Sequence, residues 1–471
     1  MEEHLCSVSE ATASDSCALR LRQHLLGALL CPERLTVSNL ICSSGDQHRD
    51  WSAHYRLYSR ERVDENVLFG QVLESVLARL PAQAPLVAAL DDTLVRKRGT
   101  HIHGVSWKRD PLGPAFQTNL VRGQRYLQFS AAWPLANGAT RMVPIAFHHT
   151  PSAAKPPKGA DQAALQSYRE AQKQQCLNAQ ALNHMRGLRQ QVPAQRHIIY
   201  NGDGSYTNAT VLKGLPAGCT YLGRMRKDAV LHFPPTPKEP SATGRRPSYG
   251  ELAPTPEALR QDEDTSWQTV QAFAAGKQHD FRIKTLGPVL WRKAGASLPL
   301  RIMVIAPLGY RLRKGSKLLY RQPAYLLCTD PNLPLDEFLQ HYLGRWGIEV
   351  NFREEKSLIG TGQAQVRGAA ANQHFPATTV AAYSLLWTAA LQLHQSGQSF
   401  EVLRPPKWRR RSRTEEATLP STGELLRLLR YEYWAAALRP GAFYHFVTPQ
   451  HTVTKPQKHP PDLPACLFAA A

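Results

Sequence analysis

The sequence predicts a mixed α/β fold with helical segments at both ends and a β-rich insertion. Three features lead there. Short apolar runs of strand length recur between residues 86 and 226, with a polar helical stretch among them. A Pro/Gly/Ser-rich segment then precedes a second group of strand-like runs. Both ends of the chain carry apolar residues at helical spacing. Strands and helices interleaved in this order build layers of sheet and helix rather than a bundle.

Residues 18–80 read as helical: ALRLRQHLLGALL and ENVLFGQVLESVLARL place apolar residues at three- and four-residue steps. Between them, HRDWSAHYRLYSRERV interleaves arginines with aromatics, as either a DNA-contacting surface or a solvated helical face does. Pro81 and Pro85 mark a change of character. LVAAL (86–90) reads as a strand ending at Asp91-Asp92-Thr93, followed by strands at 125–133 and 141–147. One Ala- and Gln-rich helix fits 160–190, and HIIY (197–200) is a strand running into Asn201-Gly202-Asp203. TYLGRMR (220–226) is the next strand. After the loop PPTPKEPSATGRRPSYGELAPTP, the runs RIMVIAP and AYLLCTD are strands of the insertion. A helix over 334–358 starts with acids in its first turn. An apolar helix fits 376–394, a basic stretch KWRRRSR occupies 407–413, and a shorter helix lies near 422–438.

Charge narrows the partner. Fifty-seven Lys and Arg against 37 Asp and Glu leave +20, a surplus that suits a polyanion. An anionic membrane would suit it too, but no apolar run is long enough to span a bilayer, so no membrane association is expected. The acidic, polar N-terminus does not read as a secretory signal, and a cytoplasmic, nucleoid-associated setting is expected. The eight cysteines contain no CxxC pair, which argues against a zinc ribbon or finger and for reduced thiols.

Three acids stand where they could do chemistry. Asp91 and Asp203 follow apolar strands, and Glu349 lies within the helix at 334–358. Oxygen ligands of this kind suit hard divalent cations, and a metal pair can promote phosphodiester cleavage. Tyr342, Arg345, Glu349 and Lys356 lie at offsets 0, 3, 7 and 14. At about 100° per residue they share one helical face within roughly 60°. Such a face fits metal ligation by the Glu and phosphate contacts by the cations. An ordinary i, i+4 ion pair between Arg345 and Glu349 on a solvated helix fits the pattern equally.

The spacing Tyr342-x2-Arg345-x3-Glu349-x6-Lys356 resembles the Tyr-Arg-Glu-Lys (YREK) signature of bacterial insertion-sequence DDE transposases. LDDT (90–93) with KRG (97–99) is similar to that family's first-aspartate block, and NGDGSY (201–206) to its second. RWGIEVNFREEKSLIGTGQAQVR (345–367) is similar to the third, and the likeness spans roughly residues 35–395. The resemblance implies an RNase H-like mixed sheet with flanking helices and a β-rich insertion ahead of the Glu, where 145 residues separate Asp203 from Glu349. It implies Mg²⁺ (or Mn²⁺) held by Asp91, Asp203 and Glu349. It implies DNA phosphates held by Tyr342, Arg345 and Lys356, with element ends and target DNA as partners. A homodimer in a synaptic complex is also implied. Asp92 competes with Asp91 as first ligand; the family's Asp-x-Thr pattern favours Asp91.

The expected organisation is a helical DNA-binding segment (1–80), a catalytic core in two parts (81–233 and 333–398) flanking the insertion (234–332), and a basic C-terminal region (399–471). Transposition is the first functional reading. A nuclease of the same fold without strand transfer, or a catalytically inactive DNA-binding relative, are the alternatives. The histidines at 101, 103, 148 and 149 lack a matching third ligand and read as exposed or hydrogen-bonded. KWRRRSR is either a DNA-backbone contact or a solubilising loop. Trp346 reads as a core residue, with base stacking as its alternative.

Overall fold

A computed structural model describes residues 7–437, apart from 111–112, 114–116, 136–137, 237–246, 314, 398–399, 401–402 and 404–418, together with 463 and 467. KWRRRSR therefore lies outside the described residues. Helices α1 (Asp15–Leu30), α2 (Val37–Ser43), α3 (Trp51–Ser59) and α4 (Glu65–Leu77) occupy the N-terminal segment. Ser14, Thr36 and Asp50 cap the first three by accepting the backbone N–H of Cys17, Asn39 and Ser52.

Strands β1 (Leu86–Arg96), β2 (Ser106–Arg109), β3 (Leu120–Pro134) and β4 (Thr140–His149) follow. The single helix expected over 160–190 is two, α5 (Gln162–Gln174) and α6 (Leu177–Gln191), because the chain breaks at Gln175-Cys176 and restarts there. Then come β5 (Ile198–Gly202), α7 (Ala209–Gly214), β6 (Cys219–Arg224), β7 (Leu231–His232), β8 (Leu252–Ala253) and α8 (Pro256–Gln261). Strands β9 (Gln268–Ala274), β10 (Lys277–Trp291), β11 (Gly295–Ile305), β12 (Gly309–Tyr310), β13 (Leu319–Tyr320) and β14 (Ala324–Cys328) complete the β-structure.

The helix expected over 334–358 is divided. α9 (Leu335–Gly344) ends at Arg345, α10 (Trp346–Glu354) follows, and a π-helical turn covers Glu355–Ile359. Helices α11 (Ala369–Gln395) and α12 (Thr422–Ala437) come last among the described residues.

Two compact units result, one of residues 69–352 and one of residues 1–68 with 353–471. In the first, β1, β5 and β6 pair in parallel, while β3 pairs antiparallel with β1, β2 and β4. Within the span expected as an insertion, β12 and β13 pair as a separate two-stranded sheet, and the longer strands join the main sheet. β14 pairs with β6 and carries β11, β10, β7 and β8 onward, giving one twelve-stranded mixed sheet. Successive residues of β3 show which helix covers which face. Phe129 meets His184 of α6, while Ser130 is reached by Asn351 of α10. Phe338, Leu339, Ile348 and Phe352 bury α9 and α10 in a core with Met142, Met303, Leu326 and Cys328.

In the second unit, α11 is buried almost all round from Ala371 to Leu391, as a helix through a domain core must be when it is apolar on every side. No helix among the described residues is long and apolar enough to cross a membrane. The Arg- and aromatic-rich α3 turns His54 and Tyr58 inward, where both hydrogen-bond to buried His24 at 2.8 and 2.7 Å. Burial and the neighbouring His54 push His24 down to about 3, so the pair packs uncharged. The Glu65 carboxylate meets the His374 Nδ1 of α11 at 2.6 Å.

That last contact sets a pH dependence. Burial opposes the charge on His374, yet its bond to Glu65 prevails and raises its pKa above the ordinary 6.5. Burial likewise opposes the charge on Glu65, and the same bond overcomes it, lowering its pKa below the ordinary 4.5. The contribution of His374 is complete below 6.5 and is lost as pH rises through its raised value; that of Glu65 is lost as pH falls below 4.5. Thermal unfolding followed from pH 5.5 to 8.5 should show a midpoint that falls across the upper half of the range. Glu65→Gln should flatten that fall, and an unchanged slope in the variant would refute the assignment.

Candidate active site

β1 does not stop at the paired aspartates. It stays paired with β3 as far as Arg96 opposite Gly123, while its parallel ladder with β5 ends at Ala89 opposite Asn201. Asp91 is thus mid-strand, at the point where the sheet opens on the β5 side. Asp203 comes directly after β5 and forms a tight turn. Its Oδ1 accepts the Ser205 N–H at 2.8 Å and the Ser205 hydroxyl at 2.6 Å. Gly202 is required beside it, since a Cβ there would stand 2.4 Å from the Tyr221 hydroxyl.

Glu349 reaches the same place from α10. Arg345 Nη1 lies 3.2 Å from Asp91 Oδ2, and its Nη2 lies 3.0 Å from Glu349 Oε1. The i, i+4 pair foreseen on a solvated helix therefore exists, but not on a solvated face. The Arg345 side chain is 12% exposed and is shared with a third residue 254 positions away in sequence. The backbone tightens at the α9–α10 junction, where Arg345 N–H donates to Tyr342 O and Ile348 N–H to Arg345 O. Two features fix α10 against the sheet. Buried Asn351 donates to Met142 O at 3.0 Å and to Ser130 Oγ at 3.3 Å. Gly347 lets the helix approach β4, because a Cβ there would fall 2.6 Å from Met142 Cγ and 2.9 Å from its Cβ.

Asp91 and Asp92 have different surroundings. Burial, then the Asp203 charge, raises Asp91 from an ordinary 3.8 to about 7, against the pull of Arg345. Asp92 is also raised by burial, with Arg125 and the Tyr206 hydroxyl opposing. Asp91, Asp203, Arg345 and Glu349 line one cleft of about 1030 Å³, and Asp92 is not among its lining residues. Arg224, Arg226, Lys227, Arg260 and Lys293 also line it and form a basic wall. Glu257 on that wall is paired with Arg260 and accepts the Tyr325 hydroxyl, and the Arg260 bond chiefly holds it down near 2.

The structure thus brings together Asp91, Asp203, Arg345 and Glu349 of the residues singled out by sequence. Tyr342 stands beside them, its phenol raised by burial and countered by Arg345 and Arg224. Lys356 falls in the π-helical turn of the other unit, so the phase that placed it on the Glu349 face does not continue that far. Trp346 is 63% exposed and not a core residue, because the α9–α10 break turns it away from the sheet. His148 stacks on His184, and His149 lies against Tyr126 and His103. The basic wall was missed; its only sequence signal is the run Arg224-Met225-Arg226-Lys227 after a strand.

Among the described residues no three His, Cys, Asp or Glu side chains close into a ready metal cage. The donor set nevertheless fits a hard divalent cation, being all oxygen. A positive charge already stands between two of its members, the Arg345 guanidinium between Asp91 and Glu349.

A cluster of acids beside cations in one cleft suits a phosphodiester substrate. The family model for DDE superfamily endonucleases matches residues 8–296, well over half of the chain, and the protein belongs to that family. Membership implies DNA as substrate, and enzymes of the family generally use divalent metals. The matched span includes Asp91 and Asp203 and ends before Glu349, which joins them by geometry alone. No curated protein matches the chain.

The close approach of α10 gives a direct test. Gly347→Ala gains about 1 kcal/mol of helix propensity but incurs about 1–3 kcal/mol of overpacking against Met142. The variant should unfold at lower denaturant concentration than the parent; equal or greater stability would show that the helix does not depend on this contact.

Proposed function

We propose that this endonuclease is a cut-and-paste DNA transposase of the YREK-signature group, with an RNase H-like core and Asp91, Asp203 and Glu349 as its metal ligands. The observation that carries the reading is the Arg345 guanidinium shared by Asp91 and Glu349 on the floor of a cleft that also holds Asp203. The order of the three acids along the chain supports it, as does the +20 charge.

In this reading the basic wall grips the phosphates of one strand and lays the scissile bond over the three carboxylates. Bound Mg²⁺ would supply an activated nucleophile and charge stabilisation at the leaving oxygen. Arg345, already desolvated and turned to the acids, exchanges part of that pairing for a non-bridging phosphate oxygen. Tyr342 orients Arg345. Water breaks the bond to the element's 3′-oxygen and leaves a 3′-hydroxyl, which then attacks target DNA. Two element ends are brought together by two copies of the chain.

Two experiments test this. Glu349→Ala should lower Mg²⁺-dependent cleavage of an element-end duplex by on the order of a hundred- to a thousandfold while end binding persists. Cleavage at the parent rate would remove Glu349 from the site. Asp91→Asn should be far more damaging than Asp92→Asn, and equal rates for the two would withdraw the preference for Asp91. Inverted repeats around the gene, bordered by a short direct duplication, would separate transposition from cleavage without strand transfer.

A further inference from the structure

Asp92, the rival for the first ligand position, is occupied elsewhere. Its Oδ1 accepts the Tyr206 hydroxyl at 2.9 Å, and its Oδ2 lies 3.1 Å from Arg125 Nε. Tyr206 is fully buried, and burial together with the nearby carboxylates keeps its phenol protonated, so it stays a donor. It directly follows Ser205, the residue that holds the Asp203 carboxylate by two hydrogen bonds. On the other side, the Asp92 N–H donates to Asp91 Oδ1 at 2.8 Å.

The consequence follows from the topology. Asp91 and Asp203 sit on segments whose shared ladder has already ended, at Ala89 opposite Asn201. Two like charges facing each other across an opening tend to drift apart. The Tyr206–Asp92 bond closes that opening, linking the Asp203 turn to the strand residue whose N–H aims Asp91.

We propose that Asp92 is a positioning residue, braced by Tyr206 and Arg125, that fixes the spacing and aim of Asp91 relative to Asp203. This rests on the reading of Asp91 and Asp203 as ligands of a divalent cation. Tyr206→Phe removes one hydroxyl and leaves the ring in the core. Groups that orient metal ligands typically change affinity by about 10- to 100-fold when removed.

The test is Mn²⁺ binding to the free full-length protein by calorimetry, beside the Mg²⁺ concentration that half-saturates cleavage. Tyr206→Phe should bind Mn²⁺ about tenfold more weakly or worse, and its Mg²⁺ midpoint should rise by a similar factor. Its rate at saturating metal should return close to the parent's, and its unfolding temperature should move little. Asp92→Ala should weaken binding at least as much, since it also releases Arg125, and the double variant no more than Asp92→Ala alone, because the Tyr206 hydroxyl acts through Asp92. Parental Mn²⁺ affinity in Tyr206→Phe, with Asp91→Asn impaired, would overturn the brace and leave the ligand reading standing. Parental affinity in Asp91→Asn and Asp203→Asn would overturn both.

Discussion

One guanidinium balances the charge at the cleft floor. Without Arg345, Asp91 would face Asp203 and Glu349 with little but its own backbone turn to compensate, and burial already pushes its carboxyl to about 7. Much of the surrounding architecture serves this one arrangement. Gly347 and Asn351 press α10 onto the sheet so that Arg345 and Glu349 arrive together. The early end of the β1–β5 ladder leaves Asp91 room to meet them. A single buried cation between two acids is a specific requirement, because an unpaired charge there costs far more than the pair contributes.

The cleft joins opposite electrostatic characters within one unit. Its acids come from β1, the β5 turn and α10, while its cations stand at the end of β6 and just beyond it, on α8 and after β10. In the proposed function, polyanionic DNA is drawn to the second group and meets the first where a phosphate is shared with Arg345. This division lets a strongly basic protein keep an acidic centre without either set of charges cancelling the other.

Much of this was legible in the sequence, and the rest failed for physical reasons. The strand before Asp203 and the Arg345–Glu349 spacing rest on local pattern, which survives folding. Asp91 was read at a strand end because its apolar run stops there; the strand continues because its pairing with β3 does not need apolar side chains. Helical phase placed Lys356 correctly only for an unbroken α-helix, and a tightened junction and a π-turn both intervene. The basic wall and the Tyr206–Asp92 bond join residues far apart in sequence, 114 positions in the second case, and no local pattern encodes such contacts.

The distance along the chain between Asp91 and Arg345 also bears on synthesis. The ribosome releases Asp91 and Asp203 long before Arg345, 254 positions beyond Asp91, which pairs with Asp91. Through most of its birth the chain therefore holds two acids and no third, with no cation between them. In the proposed reading, a nascent or prematurely terminated product has no competent centre. On that reading, cleavage of DNA would become possible only after α10 had been made.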